Sequence, residues 1–435
     1  MIYSEKVSKR ACVKALGCRL NQYEIQGMEN KLKANGYEIV PFGERADLGV
    51  INTCTVTNEA DAKSRNVIRR FIRRNPKGVT VVVGCYSQIS ANEISMIDGV
   101  DYVIGNHDKM NFLNYLGEGK NEVPVIVRER ISKEDFTIGF TGESSYQQRS
   151  NLKIQDGCDF MCTFCVIPFA RGRARSRSWN DLHLEAKGML EKGVEEIVLT
   201  GVNLGTYESE KRNFLDLISS LSSLNGMKRL RISSIEPTTI PEELFEMMAD
   251  QSHPLMPYLH VPMQSGCNSV LKSMRRKYLL EEMEEFFQRA VSAIPNVCIG
   301  TDLMVGFPGE SNLDFEKTCE TFMKFPFVYC HVFTYSERKG TRANKIAEKI
   351  PMNERRIRSN HLRRLSASKR MLYNRDQIGE ITSVLVENPS SGKFSGYTDN
   401  YMRVLVEGGN QSMVNQFVRV KITEAMPEYV IAQPL

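Results

Sequence analysis

Three cysteines stand close together near the middle of the chain, at Cys158, Cys162 and Cys165. Three thiolates at this spacing can hold three irons of a four-iron, four-sulfur cube, which leaves the fourth iron open to a small molecule. Phe164, directly before the last cysteine, would limit the access of solvent. A zinc knuckle is the alternative, but a structural zinc takes four ligands, and no histidine or fourth cysteine lies nearby. The spacing therefore predicts an iron–sulfur cluster with one open iron.

This spacing resembles that of the radical S-adenosylmethionine (SAM) enzymes. In that superfamily the amino and carboxylate groups of SAM chelate the open iron, and one electron splits a carbon–sulfur bond to give a 5′-deoxyadenosyl radical. The resemblance implies that a 4Fe-4S cluster and SAM are cofactors. The cofactor carries the difficult chemistry, and the protein supplies position and seclusion. The three cysteines say almost nothing about the substrate.

A second set of cysteines, Cys18, Cys54 and Cys85, is spread over the N-terminal part of the chain. Each follows a short apolar run that predicts a buried parallel strand, at 11–16, 48–51 and 79–83. Helical patterns separate these runs, and the carboxyl ends of parallel strands lie at one edge of a sheet. We therefore expect the three thiols to converge and to hold a second cluster. The alternative is three unrelated buried cysteines, since a free cysteine behaves as a small hydrophobic residue.

The length of 435 residues suggests about three domains. We expect an N-terminal parallel α/β cluster domain at 8–117, a linker at 118–150, a central partial (βα)6 barrel at 151–372 and a small all-β, OB-like barrel at 373–435. The linker contains one short strand candidate at 125–127. The predicted fold class is therefore α/β with a closed β-barrel at the C-terminal end.

Six strand candidates alternate with amphipathic helices in the central region. They are 152–155, 196–200, 229–233, 258–261, 297–304 and 328–334. Six parallel βα units are too few for a closed eight-stranded barrel, but they suit an open partial barrel, whose function gathers at the strand C-termini. Polar residues at those ends predict a cofactor pocket lined by Asn203, Glu236, Gln264 and Asp302. The commoner role of such residues is to cap loops or helices.

The formal net charge is only +5, but basic residues fall into three runs. The first includes Arg69, Arg70, Arg73 and Arg74, the second includes Arg171, Arg173, Arg175 and Arg177, and the third lies at 355–370 on a predicted basic helix, 353–377. One such run is usually a solvated helix face, whereas three favour a polyanionic partner. The segment 378–435 has six acidic and four basic residues. Any RNA contact there would depend on local residues such as Lys393, Tyr397 and Tyr401.

The compartment is predicted from the cysteines and from hydropathy. The first residues lack the apolar core of a signal peptide, and no run approaches the length of a membrane span. Clusters of the predicted type need reduced thiols, which the cytosol maintains. We therefore expect a cytoplasmic protein without a membrane partner.

With these segments placed, the chain resembles the methylthiotransferases over nearly all of its length. That family has a cluster domain, a radical-SAM domain and a C-terminal TRAM barrel, in this order. The shared motifs are at 17–21, 52–54, 84–85, 260–266 and 301–310. Further motifs at 21–24, 53–57 with 63–65, and 167–173 resemble the bacterial branch that acts on N6-threonylcarbamoyladenosine in tRNA. Phe169 stands where tyrosine is more usual.

The resemblance implies methylthiolation of carbon 2 of N6-threonylcarbamoyladenosine at position 37 of tRNA, with two SAM molecules and two 4Fe-4S clusters. The cluster at Cys158, Cys162 and Cys165 would cleave SAM, and the radical would take the hydrogen from carbon 2. The other three cysteines would hold the cluster that delivers sulfur, which a second SAM methylates. The implied partners are the tRNA anticodon loop and an electron donor such as flavodoxin or ferredoxin.

Three alternatives remain open at the level of sequence. One relative methylthiolates isopentenyladenosine in tRNA, and another modifies an aspartate of a ribosomal protein. A basic protein substrate would favour an acidic docking surface, which the slightly acidic C-terminal segment could supply. In a different class, the chain could be an iron–sulfur electron-transfer protein or an RNA-binding module whose clusters are structural. Cleavage of SAM under reduction would exclude that class.

Overall fold

The computed structural model describes residues 9–139, 147–390 and 393–435, in two compact units. The first unit consists of Met1–Ser145, Gln155–Leu182 and Ser336–Thr341, and the second of Tyr146–Ile154, His183–Tyr335 and Arg342–Leu435. Residue 8, the predicted start of the N-terminal domain, and residues 140–146 of the predicted linker lie outside the described part.

A six-stranded parallel sheet dominates the first unit, with strand order β2-β1-β3-β4-β5-β6. Its elements are β1 (Arg10–Ala15), α1 (Arg19–Ala34), β2 (Glu38–Ile39), β3 (Leu48–Thr53), α2 (Asn58–Arg74), β4 (Val79–Gly84), α3 (Cys85–Ile89), α4 (Ala91–Ser95), β5 (Tyr102–Ile104), a 3-10 helix (Lys109–Tyr115) and β6 (Val125–Val127). The short strand candidate of the predicted linker therefore adds an edge strand to this sheet, beside β5.

The sheet forms because its central strands are apolar and β-branched, which suits burial on both faces. Side chains alternate between two hydrophobic cores: Val50 packs in the core with α1, and Ile51 packs in the core with α2. Thr57 caps the start of α2, because its hydroxyl accepts a hydrogen bond of 3.1 Å from the Ala60 amide. The predicted parallel sheet is confirmed.

The middle of the chain runs through both units. Its elements are β7 (Arg149–Lys153), β8 (Gln155–Asp156), α5 (Ile167–Arg171), β9 (Arg175–Ser176), α6 (Trp179–Glu191), β10 (Glu196–Thr200), β11 (Glu208–Ser209), β12 (Arg212–Asn213), α7 (Phe214–Ser222), β13 (Arg229–Ile232), α8 (Glu243–Ala249), β14 (Tyr258–His260), α9 (Asn268–Met274), α10 (Leu280–Ala293), β15 (Cys298–Val305), α11 (Asn312–Lys324) and β16 (Tyr329–Thr334). Short 3-10 helices occur at Leu204–Thr206, Pro237–Thr239 and Ala343–Lys345. The pair β8–β9, the helix α5 and the loop between β8 and α5 belong to the first unit.

Six parallel strands form the centre of the second unit. They lie in two three-stranded sheets, β7-β10-β13 and β14-β15-β16, and isolated pairs join Leu230 to Leu255 and Ser234 to His260. All six strand candidates from the sequence are present, although the first one begins earlier than predicted, at Arg149.

A long helix and a small barrel complete the second unit. They are α12 (Met352–Asp376), β17 (Ile381–Ser390), β18 (Lys393–Tyr397), β19 (Arg403–Val406), a 3-10 helix (Gln411–Met413), β20 (Phe417–Ala425) and β21 (Val430–Pro434). The five strands close in the order β17-β18-β19-β21-β20. Arg231 of β13 binds this barrel, since its guanidinium donates to the carbonyls of Thr398 and Asp399 and pairs with buried Glu196. The predicted fold class is confirmed.

No helix among the described residues combines the length and the hydrophobicity that a membrane span requires.

Candidate cluster and cofactor sites

The sheet of the first unit brings Cys18, Cys54 and Cys85 to one edge. Ala15 pairs with Asn52, and Thr53 pairs with Gly84, so the chain leaves three adjacent strands at the same level just before the cysteines. A side chain at Gly17 would collide with this arrangement, because a Cβ there would lie 2.7 Å from the Cys54 Sγ, and the φ of Gly17 is +89°. The glycine before Cys18 therefore leaves room for the thiol of Cys54.

The three thiols differ in exposure: Cys54 and Cys85 are buried, and Cys18 is exposed. Burial is the main cause that raises the pKa of the Cys54 thiol to about 12, a hydrogen bond from the Val56 amide opposes it, and the nearby thiols of Cys85 and Cys18 reinforce it. Such a thiol ionises readily only when a metal binds it. The all-sulfur donor set fits an iron–sulfur cluster.

The loop of Cys158, Cys162 and Cys165 lies between β8 and α5 in the same unit. Its start is fixed by a backbone hydrogen bond of 3.1 Å from Cys158 to Gly172, and the Cys165 amide donates to the Cys162 carbonyl at 3.0 Å. All three cysteines are partly exposed, as is Phe164. This donor set is also all sulfur and therefore fits a cluster that a small molecule can reach.

Arg171, at the end of α5, lies at the centre of a buried charge network. Its guanidinium donates to Glu24 at 2.9 Å, to Asn21 at 2.6 Å and to Asp156 at 3.1 Å, and it is only 1% exposed. Lys109 pairs with Glu24 at 2.5 Å. Burial would lower the pKa of Arg171, but the negative groups around it, Cys85 first, outweigh this effect and raise the pKa. Arg171 therefore stays charged.

The burial of Arg171 contradicts one prediction from the sequence. The sequence predicted Arg171 as an RNA contact, but its guanidinium is buried among acidic and amide groups of the first unit. The reason is that its partners, Asn21 and Glu24, lie about 150 residues earlier in the chain, with separations of 150 and 147. A run of arginines in a sequence does not reveal acidic partners at such distances.

Asn106 links the two cysteine sites within the first unit. Its side-chain amide donates to the Ala170 carbonyl at 2.6 Å and lies 3.5 Å from the Cys85 Sγ. Ala170 and Arg171 end the helix that follows Cys165. The same short helix is thus tied to the Cys85 side by Asn106 and to the Cys18 side by Arg171.

Sequence reasoning missed Arg338, which supports the turn after Cys54. It pairs with Asp61 at 2.7 Å and donates to Thr55 at 2.6 Å and to Asn58 at 2.7 Å. These hydrogen bonds fix the start of α2 directly behind the cysteine. No spacing pattern could have indicated the pairing, because Arg338 follows Thr55 by 283 residues.

Phe164 lies in the first unit, whereas the four predicted pocket residues lie in the second unit, three of them a few residues beyond strand ends and Asp302 within β15. Asn203 is buried after β10 and accepts a hydrogen bond of 3.1 Å from Thr239. Glu236 follows β13 and pairs with Arg276; its burial raises the pKa of its carboxyl more than Arg276 lowers it. Gln264, after β14, has a φ of +70°, and its backbone amide donates to the Asp302 carbonyl at 2.8 Å.

Asp302, in β15, lies between two histidines. One of its carboxylate oxygens is 2.8 Å from the Nε2 of His260 and 3.4 Å from the Nδ1 of His331. Burial alone would raise the pKa of Asp302, but the hydrogen bonds and charges of the two histidines lower it well below its usual range. The sequence had indicated His260 only as a residue that orients a neighbour, and it missed His331, which lies directly opposite Asp302 on β16.

The predicted RNA contacts differ in exposure. Arg69, Arg70, Arg73 and Arg74 are exposed on α2, with Arg70 lying 5.5 Å from the ring centre of Phe42. Arg173 is exposed and forms a 3.3 Å ion pair with Asp159. The third basic run is partly internal, because Arg355 and Arg358 are buried and Arg358 pairs with Glu310 at 2.6 Å. The side chain of Lys393 lies outside the described part of β18.

Three family models match this chain in the predicted order. They are the uncharacterized protein family UPF0004 at residues 10–105, the radical SAM superfamily at 152–322 and the TRAM domain at 375–435. The chain is 40% identical to the threonylcarbamoyladenosine tRNA methylthiotransferase MtaB of Bacillus subtilis (strain 168), over 94% of this chain and 93% of that protein. It belongs to the radical-SAM tRNA methylthiotransferase family.

Two further family members are named for different modified adenosines of tRNA. The MtaB protein of Aquifex aeolicus is 36% identical over 95% of this chain and all of its own length. A tRNA-2-methylthio-N(6)-dimethylallyladenosine synthase of Clostridium tetani is 30% identical over 98% of this chain and 96% of its own. Membership in the family makes the protein a transferase that uses SAM and an iron–sulfur cluster, as its sequence motifs predicted.

A solved structure shares the fold. The radical SAM methyltransferase TsrM from Kitasatospora setae aligns with a TM-score of 0.57 at 15% identity, over 78% of this chain and 77% of that one. At this identity the likeness supports the architecture alone.

Proposed function

We propose that the protein methylthiolates carbon 2 of N6-threonylcarbamoyladenosine at position 37 of tRNA, using two SAM molecules and two 4Fe-4S clusters. The observation that carries the proposal is the 40% identity, over nearly the whole chain, to a protein named for this substrate. The two cysteine triads support the two-cluster chemistry, because both lie in one compact unit and both offer only sulfur donors.

In this proposal the triads have separate roles. Cys158, Cys162 and Cys165 hold the cluster that binds SAM, and Cys18, Cys54 and Cys85 hold the cluster that supplies sulfur. When bound, the first cluster supplies the electron that cleaves SAM, so that a carbon-centred radical can take a hydrogen atom from carbon 2 of adenine. A side chain acting as a base could not do this, because an aromatic C–H is too weak an acid.

The remaining residues bind, orient and shield. Phe164 covers the open side of the Cys158 loop. Asn203, Glu236, Gln264 and Asp302 bind SAM, and His260 holds the Asp302 carboxylate in its charged form, as the lowered pKa of that group indicates. A charged carboxylate can accept hydrogen bonds from ribose hydroxyls or from an ammonium group.

The RNA surface lies on α2 in this proposal. Arg69, Arg70, Arg73 and Arg74 contact phosphates of the anticodon stem-loop, and Arg173 and Lys393 add contacts elsewhere. Four exposed guanidiniums on one helix suit a phosphate backbone. A single-stranded anticodon loop presents its base without the cost of melting a duplex. Flavodoxin or ferredoxin supplies electrons in the cytoplasm.

The test uses reconstituted enzyme, SAM and reductant with three anticodon stem-loop RNAs. They carry threonylcarbamoyladenosine, isopentenyladenosine or unmodified adenosine at position 37, and the digested nucleosides are weighed. A methylthio product from the first RNA alone is the expected result. A product from the isopentenyl RNA alone would overturn the substrate assignment in favour of the dimethylallyl branch.

A further inference from the structure

A cavity of about 330 Å³ lies in the second unit, beside the edge strand β16. Tyr329 and His331 of β16 line it, together with Arg370 and Tyr373 of α12 and with Tyr401 and Arg403 next to or within the barrel. The phenol hydroxyls and guanidiniums of these residues place polar and cationic groups on a wall that is otherwise aromatic and apolar. Such a wall suits a small ligand that carries negative charge better than it suits an aliphatic one.

Arg370 is held in place by an aromatic ring. Its guanidinium lies 4.6 Å from the ring centre of Tyr329, and the Tyr329 hydroxyl is fixed by a 2.6 Å hydrogen bond with Tyr258. Within the residues that the structure describes, no carboxylate forms an ion pair with Arg370. A partly buried arginine that stacks on a ring keeps its planar donors for a carboxylate or phosphate.

The cavity lies at the amino ends of β15 and β16 and adjoins a polar group within these strands, Asp302 and His331. His331 lines it and also contacts Asp302, with 3.4 Å between the Nδ1 and the carboxylate oxygen. The rings of His331 and His260 lie 5.1 Å apart. His331 therefore faces both Asp302 and the cavity that Arg370 lines.

We propose that this cavity binds the threonylcarbamoyl group of the substrate and that Arg370 pairs with its carboxylate. The inference rests on the proposed function and adds the residue that determines specificity. The substituent is a threonine linked through its amine, so it ends in a free carboxylate and a hydroxyl. A guanidinium fork matches a planar carboxylate in two parallel hydrogen bonds.

The same geometry explains rejection of the competing substrate. An isopentenyl group has no charge and would leave Arg370 unpaired inside a partly desolvated cavity, which disfavours its binding. Glu428 also lines the cavity, but it is exposed at the rim, where water screens its charge. Arg403 is exposed as well, so Arg370 is the sheltered cation.

The test measures binding of anticodon stem-loop RNAs to reconstituted enzyme without reductant, so that no turnover occurs. The RNAs carry threonylcarbamoyladenosine, its methyl ester or unmodified adenosine. Wild-type enzyme should bind the first roughly ten- to a hundredfold more tightly than the other two, which corresponds to one charge-assisted pair. Arg370→Gln should bind all three equally, and Arg370→Lys should retain part of the preference.

Controls separate this inference from folding and from the proposed function. Arg364→Gln, at an exposed position of the same helix, should keep the wild-type preference for the threonylcarbamoyl RNA. The comparison of the threonylcarbamoyl RNA with its methyl ester uses wild-type protein alone, so its result does not depend on whether a variant folds. An equal loss for all three RNAs in Arg370→Gln would indicate a phosphate contact and overturn the inference, as would equal wild-type binding of acid and ester. If methylthiolation of the threonylcarbamoyl RNA persisted in those cases, the proposed function would stand.

Discussion

The two cysteine triads of the first unit are positioned in different ways. Cys18, Cys54 and Cys85 stand at the ends of three neighbouring strands, so their spacing depends on the whole sheet. The other three stand on one short loop whose start is fixed by a backbone hydrogen bond. In the sheet-held site Cys54 and Cys85 are buried and Cys18 is exposed, whereas all three cysteines of the loop are partly exposed. The loop-held site is therefore the one in which every cysteine reaches the surface.

The largest effect is expected from a single methyl group added at the sheet-held site. Gly17→Ala places a carbon 2.7 Å from the Cys54 Sγ, so we expect loss of the sheet-held cluster and of methylthiolation, while reductive cleavage of SAM continues. The control is Gly36→Ala, which has a similar φ of +80° but no heavy atom within 4 Å of the added carbon. Iron analysis and assay of 5′-deoxyadenosine distinguish the two variants. Full iron in Gly17→Ala would contradict this description of the site.

The second-largest effect is expected from breaking the buried charge network of Arg171, which connects the segments that carry the two triads. Arg171→Met removes the cation that the buried carboxylates of Glu24 and Asp156 share and leaves them Lys109 and Arg175 as partners, so the free energy of unfolding should fall by about 3 kcal/mol. Arg173 lies two residues after Arg171 and forms an exposed ion pair with Asp159. Arg173→Met should therefore lower the free energy of unfolding by at most about 1 kcal/mol. Urea unfolding of both variants makes the comparison. Equal, small decreases would show that the network does not support the unit.

The smallest effect is expected on tRNA binding, and it compares the basic residues of α2, after Cys54, with Arg173, after Cys165. Changing Arg69, Arg70, Arg73 and Arg74 to glutamine should weaken tRNA binding and flatten its salt dependence, by about 0.7–0.9 in the log–log slope for each phosphate that the helix no longer neutralises. Arg173→Gln should change the slope less, because Asp159 already neutralises its charge. Cleavage of SAM without tRNA should be unaffected in both. An unchanged slope in the fourfold variant would make α2 an ordinary solvated helix.

Sequence patterns predicted the features that depend on local burial. The runs before Cys54 and Cys85 are apolar and β-branched, and in the structure they are β3 and β4, the buried centre of the sheet. The alternation of strands and helices then predicted that these strands run parallel to each other. The three family models and the closed C-terminal barrel agree with the order expected from the motifs.

The features that the sequence could not supply depend on distant partners. Arg171 looked like part of a basic run, yet Glu24 and Asp156 make it a buried cation. Arg338 contributes to the turn after Cys54, although it follows Thr55 by 283 residues. Arg370 belonged to a third basic run, and only the fold separates it from buried Arg355 and exposed Arg364. Charge runs indicate an interaction, but burial decides which member is available for it.

The most direct test of the account counts iron in three forms of the reconstituted protein. Wild type should hold about eight irons per chain, as expected for two four-iron cubes. Replacement of Cys158, Cys162 and Cys165 by alanine should leave about four irons and abolish SAM cleavage. Replacement of Cys18, Cys54 and Cys85 should also leave about four but preserve cleavage. Full iron in this last variant would contradict the claim that the sheet edge holds a second cluster.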